Sequence, residues 1–143
     1  MKQKHTMTEP DDRALLSLLT QVVNSMARDL SHSDAANPVS STQFIVLESV
    51  LCGIARPAQI SASLGVSRQA VHQTIKELVT LGYIDLVEDI QDKRAKTAML
   101  TAEGHRVLET AQAVLAEQEA EIKRLIGARD VLKLRSILLA IAK

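Results

Sequence analysis

Residues 59–101 read QISASLGVSRQAVHQTIKELVTLGYIDLVEDIQDKRAKTAMLT. Ile60 and Leu64 have the spacing of a short helix's inner face, and Gly65 suits the left-handed turn that closes it. Ser67 is a good N-cap, so a second helix is predicted from Ser67 to about Leu81, with Val71, Ile75, Leu78 and Val79 buried. Gly82 stops that helix, and residues 83–87 and 97–100 read as two strands around a charged turn, residues 88–96. The stretch is therefore a helix-turn-helix with a β-wing attached.

The flanks are helical. Upstream, Leu15, Leu18, Leu19, Val22, Val23, Met26 and Leu30 recur at helical spacing, which predicts a helix over about 10–31. Thr8 and Asp11 resemble a capping box at its start, with Pro10 suited to the first turn. SHSDAANPVSS then reads as a loop, and Ser40 with Gln43 forms a second capping box. Phe44, Leu47, Val50 and Leu51 make the apolar face of the next helix, which ends near Gly53, and Arg56-Pro57 opens a short third one. Downstream, Thr101 caps a helix carrying Val107, Leu108, Ala111, Leu115, Gln118, Ile122 and Leu125, with Glu103 favourable at its positive end. Gly127 breaks it, and a last helix over about 128–142 presents Val131, Leu134, Leu138 and Ile141. The expected fold is mainly α with a small β-wing. A winged helix-turn-helix lobe occupies 38–100, and a helical lobe is made from 8–37 and 101–143.

Composition narrows the function. The 143 residues are 46% hydrophobic and 24% charged, the balance of a globular domain with a real core. Phe44 and Tyr83 are the only aromatics, which argues against aromatic platforms for single-stranded nucleic acid. Cys52 is the only cysteine, so no intrachain disulfide forms, as suits a cytoplasmic protein; it is expected to be a small core residue. The N-terminal MKQKHTMTEPDD lacks the apolar core of a signal peptide, and no apolar run approaches the ~20 residues that span a bilayer, so no membrane association is expected. His5, His32, His72 and His105 lack close metal-ligand spacing, so no metal is expected. No catalytic triad order, phosphate loop or carboxylate pair stands out; an enzyme is not expected, nor a cofactor.

The chemistry lies in the opening stretch. At about 100° per residue, Val71, Ile75 and Leu78 share one side of the predicted helix, while Gln69, Gln73, Lys76 and Thr80 lie opposite, flanked by His72. Gln can bond two groups of adenine in the major groove and Arg two of guanine. Arg68 sits in the first turn, where a recognition helix inserts deepest. Lys93, Arg94 and Lys96 form the densest basic cluster, on a hairpin tip of the kind that enters a minor groove. Asp92 can orient Arg94 through a pair or simply cap the turn.

LGVSRQAVHQTIKELVTLGYI followed by DKRAKTAMLTAEG resembles the MarR family of winged-helix transcription regulators. The resemblance implies a homodimer joined through the helical lobe, with the two Ser67–Leu81 helices in successive major grooves of double-stranded DNA. It places Ser67, Arg68, Gln69 and Gln73 near the duplex and Arg94 in the minor groove. It implies a repressor on a palindromic operator, half-sites ~10 bp apart. A small-molecule effector would act by changing the spacing of the two helices; its identity is not legible. Arg56, Arg68, Lys76, Lys93, Arg94 and Lys96 face Glu48, Glu77, Asp85, Glu88, Asp89 and Asp92 across residues 38–100, a neutral count. Modest non-specific affinity is expected, with placed contacts carrying more of the total. The same neutrality motivates an alternative, a protein-interaction module without DNA binding, and Cys52 motivates another, a thiol-based redox regulator.

Overall fold

The computed structural model describes residues 14–31 and 39–142. The elements run α1 (Leu15–Ser31), α2 (Ser41–Leu51), α3 (Pro57–Leu64), α4 (Arg68–Thr80), β1 (Ile84–Glu88), β2 (Lys96–Leu100), α5 (Ala102–Ile126) and α6 (Ala128–Ile141). The expected Thr8 capping box, most of the loop before Ser40 and Lys143 lie outside the described residues. Ala14 is not helical, and its carbonyl accepts the first bonds of α1, which begins at Leu15; the expected start near residue 10 lies outside the described residues.

Local chemistry sets most of the boundaries. Ser40 and Gln43 form a full capping box: the Gln43 N–H reaches Ser40 Oγ at 3.2 Å, and the Ser40 N–H reaches Gln43 Oε1 at 3.0 Å. Pro57 opens α3 in its first turn, and Gly65 closes it at φ 64, a conformation that favours glycine. Ser67 and Thr101 cap α4 and α5 by accepting the N–H groups of Ala70 and Gly104.

β1 and β2 pair antiparallel, with Ile84 opposite Leu100 and Glu88 opposite Lys96. Tyr83 stays outside the ladder because its N–H bonds the Leu78 carbonyl and its own carbonyl accepts from Thr101. The ladder is extended on its far edge by one bond, Ala98 N–H to the Ala55 carbonyl at 2.9 Å.

One core joins the parts. Leu47 of α2, Ile60 of α3, Leu78 of α4, Ile84 of β1 and Leu108 of α5 are all essentially inaccessible. Val107, Leu108 and Ala111 place the first half of α5 in the same core as α2 and α4. Its second half continues outward with α1 and α6. Gln118 there ties α5 to α1, donating to the Met26 carbonyl at 3.2 Å and to Asp29 at 3.0 Å.

Three expectations about burial are corrected. Val79 is 38% exposed, and Thr74 takes the inner position instead. About 100° per residue puts Val79 at the rim of the face centred on Val71 and Leu78, and puts Thr74 nearer its centre. The Thr74 hydroxyl is satisfied by the Ala70 carbonyl at 3.1 Å, so its burial leaves no stranded polar group. Leu51 is exposed at the last turn of α2, where the helix stops, while Val46 is buried. Cys52 is exposed rather than core, since it is the C-cap residue on the side of α2 shared with the exposed Ile45.

Candidate nucleic-acid interface

α4 has one packed face and one open face. Val71, Thr74, Ile75 and Leu78 are buried against α2, α3 and β1. Arg68, Gln69, His72, Gln73 and Lys76 are all exposed along the other side. Ser67 begins the row. Its Oγ accepts the Ala70 N–H at 3.1 Å, which leaves its own O–H to donate outward at a positive helix end. A helix N-terminus flanked by Arg68 and a donor hydroxyl suits a phosphate oxygen, and the amides further along suit base edges.

Gln73 is not idle in the free protein. Its amide donates to Glu77 one turn on, at 3.0 Å, and Gln43 of α2 approaches the other Glu77 oxygen at 3.4 Å. Sequence reasoning counted Glu77 only as a charge, although the Gln-x-x-x-Glu spacing is the signal for such a pair. Glu77 places a negative charge beside Lys76 on the open face. A Gln73 that reads a base must exchange this bond for one to the duplex.

The wing carries Lys93 and Arg94 exposed at its tip. Asp92 caps the turn: its Oδ1 accepts the Arg94 backbone N–H at 3.0 Å. Lys96 stands opposite Glu88 in the ladder, a cross-strand pair of opposite charge. Asp89, which the charge count set against the basic tip, is turned inward, and both its oxygens take hydrogen bonds from Arg56 at 2.7 Å. The Arg56 guanidinium, then the Gln91 N–H, holds the Asp89 carboxyl down to about 2, against the opposing effect of desolvation. The same contact raises the Arg56 pKa. One cation and one anion of the neutral count are therefore spent on each other. Arg56 and Asp89 are 33 positions apart, and no sequence spacing announces such a pair.

Between α4 and the wing lies an open cleft of about 800 Å³. His72, Lys76 and Lys96 meet there with Arg56, over a floor of Ile75, Val79 and Leu86. The structure thus brings three of the expected contact residues to one cleft. It spreads Ser67, Arg68, Gln69 and Gln73 along α4, and sets Lys93 and Arg94 at the wing tip. Among the described residues no cluster of three or more His, Cys, Asp or Glu is placed to hold a metal, and no helix is long and apolar enough to cross a membrane.

A sequence model of the MarR family matches residues 38–95, which span α2 to the wing tip. No curated protein sequence gives a significant match. Among solved structures, the chain is similar to a cysteine-to-serine mutant of MarR from E. coli complexed with operator DNA. That match has 24% identity and a TM-score of 0.73, covering 88% of this chain and 92% of the other. It is similar to the transcriptional repressor CouR bound to a 23-mer DNA duplex, at 24% identity and TM-score 0.79, over 91% and 93% of the two chains. A further MarR structure reaches a TM-score of 0.81 at 15% identity, over 94% of this chain and 92% of that one. At such identities these likenesses establish the fold, and the family match runs from the start of α2 to the wing tip, short of β2. The chain thus shares the fold of these winged-helix structures, and its residues 38–95 match the MarR family model.

Proposed function

We propose that this protein is a cytoplasmic, sequence-specific regulator of transcription that binds double-stranded DNA as a homodimer. The observation that carries the reading is the open face of α4, where Arg68, Gln69, His72, Gln73 and Lys76 all stand in solvent beside a wing with Lys93 and Arg94 at its tip. Ser67 and Arg68 hold phosphate at the N-terminus of α4, and Gln69 and Gln73 meet base edges in the major groove. Lys76, His72 and Lys96 follow the backbone between the grooves, and Arg94, with Lys93, enters the adjacent minor groove.

The dimer reading is supported by the other end of the molecule. α6 has no buried residue, and Leu132, Leu134, Ile137, Leu138, Leu139 and Ile141 are all exposed. Leu15, Leu16, Val22 and Val23 of α1 and Leu125 of α5 are exposed as well. So much uncovered apolar side chain on one end of a small protein marks an association surface. A second copy there would set two α4 helices at a fixed separation, as half-sites about one helical turn apart require. Repression follows where that operator overlaps a promoter, and an effector that alters the separation releases it.

Selection of bound sites from random duplex DNA tests binding, symmetry and spacing together. A palindromic consensus with half-sites ~10 bp apart is expected. Recovery of no enriched site, with no duplex binding at low salt, sinks the reading in favour of a protein-interaction module.

A further inference from the structure

The loop that carries the wing tip has almost nothing apolar to hold it. Of residues 89–95 only Asp89 is buried, and Ile90 is 100% exposed. A loop without apolar anchorage keeps its shape only through polar contacts, and here these form a connected chain. Arg56, the N-cap residue of α3, grips Asp89 with Nε and Nη2, at 2.7 Å to each carboxylate oxygen. Asp89 Oδ1 also accepts the N–H groups of Gln91 at 2.8 Å and Asp92 at 3.1 Å. The Asp92 carboxylate accepts the Arg94 N–H at 3.0 Å, and its carbonyl accepts the Ala95 N–H at 2.8 Å. The Ala95 carbonyl returns to the Asp89 N–H at 3.1 Å and closes the ring.

We propose that Arg56 and Asp89 are positioning residues for the wing: their two-pronged pair fixes the 89–95 loop to the start of α3, so that Arg94 leaves the backbone at a set place relative to α4. Arg56 lines the cleft beside Lys76 and Lys96, but its Nε and Nη2 are taken up by Asp89, so in this proposal the pair acts through Arg94. This rests on the DNA-binding reading above. Buried Ile84 and Ala98 and the Ala98 N–H to Ala55 carbonyl bond attach the wing's strands to the helices, which fixes the wing's root but not its tip. The Arg56–Asp89 pair supplies the missing constraint at the tip, in a geometry that a lysine, with a single donor group, cannot reproduce.

The test is a double-mutant cycle on a selected operator, read with hydroxyl-radical footprints. Arg56→Gln and Asp89→Asn are each expected to weaken binding about tenfold, the loss of one well-oriented charge-assisted contact. The footprints should lose minor-groove protection at the operator flanks and keep it over the half-site centres. In an Arg94→Ala background either substitution should change affinity less than about twofold, because the side chain it positions is gone. Arg56→Lys should fall between wild type and Arg56→Gln. Equal losses in the wild-type and Arg94→Ala backgrounds overturn the proposal, as does flank protection unchanged in Arg56→Gln. A duplex left wholly unprotected by wild type overturns the DNA-binding reading and the proposal with it. Protection by wild type that both variants retain overturns the proposal alone.

Discussion

Gly104, in the first turn of α5, lies so close to the backbone of Tyr83 that a Cβ at residue 104 would stand 2.0 Å from the Tyr83 carbonyl oxygen. That oxygen is already used, since it accepts the Thr101 N–H at 3.1 Å. The Thr101 Oγ1 accepts from Gly104 and donates to the Gly82 carbonyl at 2.6 Å. The Leu-Thr-x-x-Gly segment at residues 100–104 is therefore a weld between the end of α4 and the start of α5. The obstacle is backbone, so it cannot swing aside as a side chain would. Gly104→Ala should cost at least about 2 kcal/mol, as overpacking against rigid neighbours does. Urea unfolding measures it, and a midpoint unchanged from wild type would contradict the close approach.

Acid should loosen the wing through Asp89. Its carboxyl is lowered from an ordinary 3.8 to about 2 by Arg56 and by the N–H groups of Gln91 and Asp92. A depressed carboxyl stabilises the fold fully above its unfolded value and loses that contribution as the pH falls through its folded value. The contribution should be complete above about pH 4 and vanish toward about pH 2. Asp89→Asn should be less stable than wild type at neutral pH, and the gap should narrow across that interval. Thermal midpoints recorded from about pH 2 to 7 check it. Parallel curves for the two proteins would show that Asp89 is not the group responsible.

Association through the helical end makes stability depend on concentration. Leu134 and Leu138 of α6 are 40% and 42% exposed. Leu134→Glu together with Leu138→Glu should give monomer by sedimentation, and should abolish the rise in thermal midpoint with protein concentration expected of wild type. A wild-type protein that sediments as a monomer and still binds a palindromic site would remove the dimer from the proposal.

Removing a minor-groove charge has a salt signature. Arg94→Ala should weaken operator binding and reduce the slope of log K against log salt by about one. Gln69→Ala, which removes no charge, should weaken specific binding by about 1–3 kcal/mol and leave the slope unchanged. Slopes that respond in the opposite order would exchange the roles assigned to α4 and the wing.

Much of this molecule is written locally. Ser40 with Gln43, Pro57, Gly65, Ser67 and Thr101 each act within about one helical turn, so the chain declares its helix ends before any packing occurs. Helical periodicity likewise marks Val71, Ile75 and Leu78 as the inner face of α4, because burial there follows from rotation about one axis. The family pattern is legible for the same reason: Ser67 to Gly82 and Asp92 to Gly104 are short runs whose side chains serve their own neighbours.

What the tertiary structure decided concerns residues whose partners lie far along the chain or whose exposure depends on where a neighbour ends. Val79 and Cys52 carry apolar side chains, yet α4 turns one past its rim and α2 ends before packing the other. Asp89 looked like one more charge beside the basic tip. Only the folding of α3 against the wing brings Arg56 to it and turns a charge-balance argument into a structural pair. By itself the sequence determined which segments form α4 and the wing and which side of each is polar. The tertiary structure decided which partner Asp89 of the wing loop meets, because Arg56 lies 33 residues away and no periodicity records the pair.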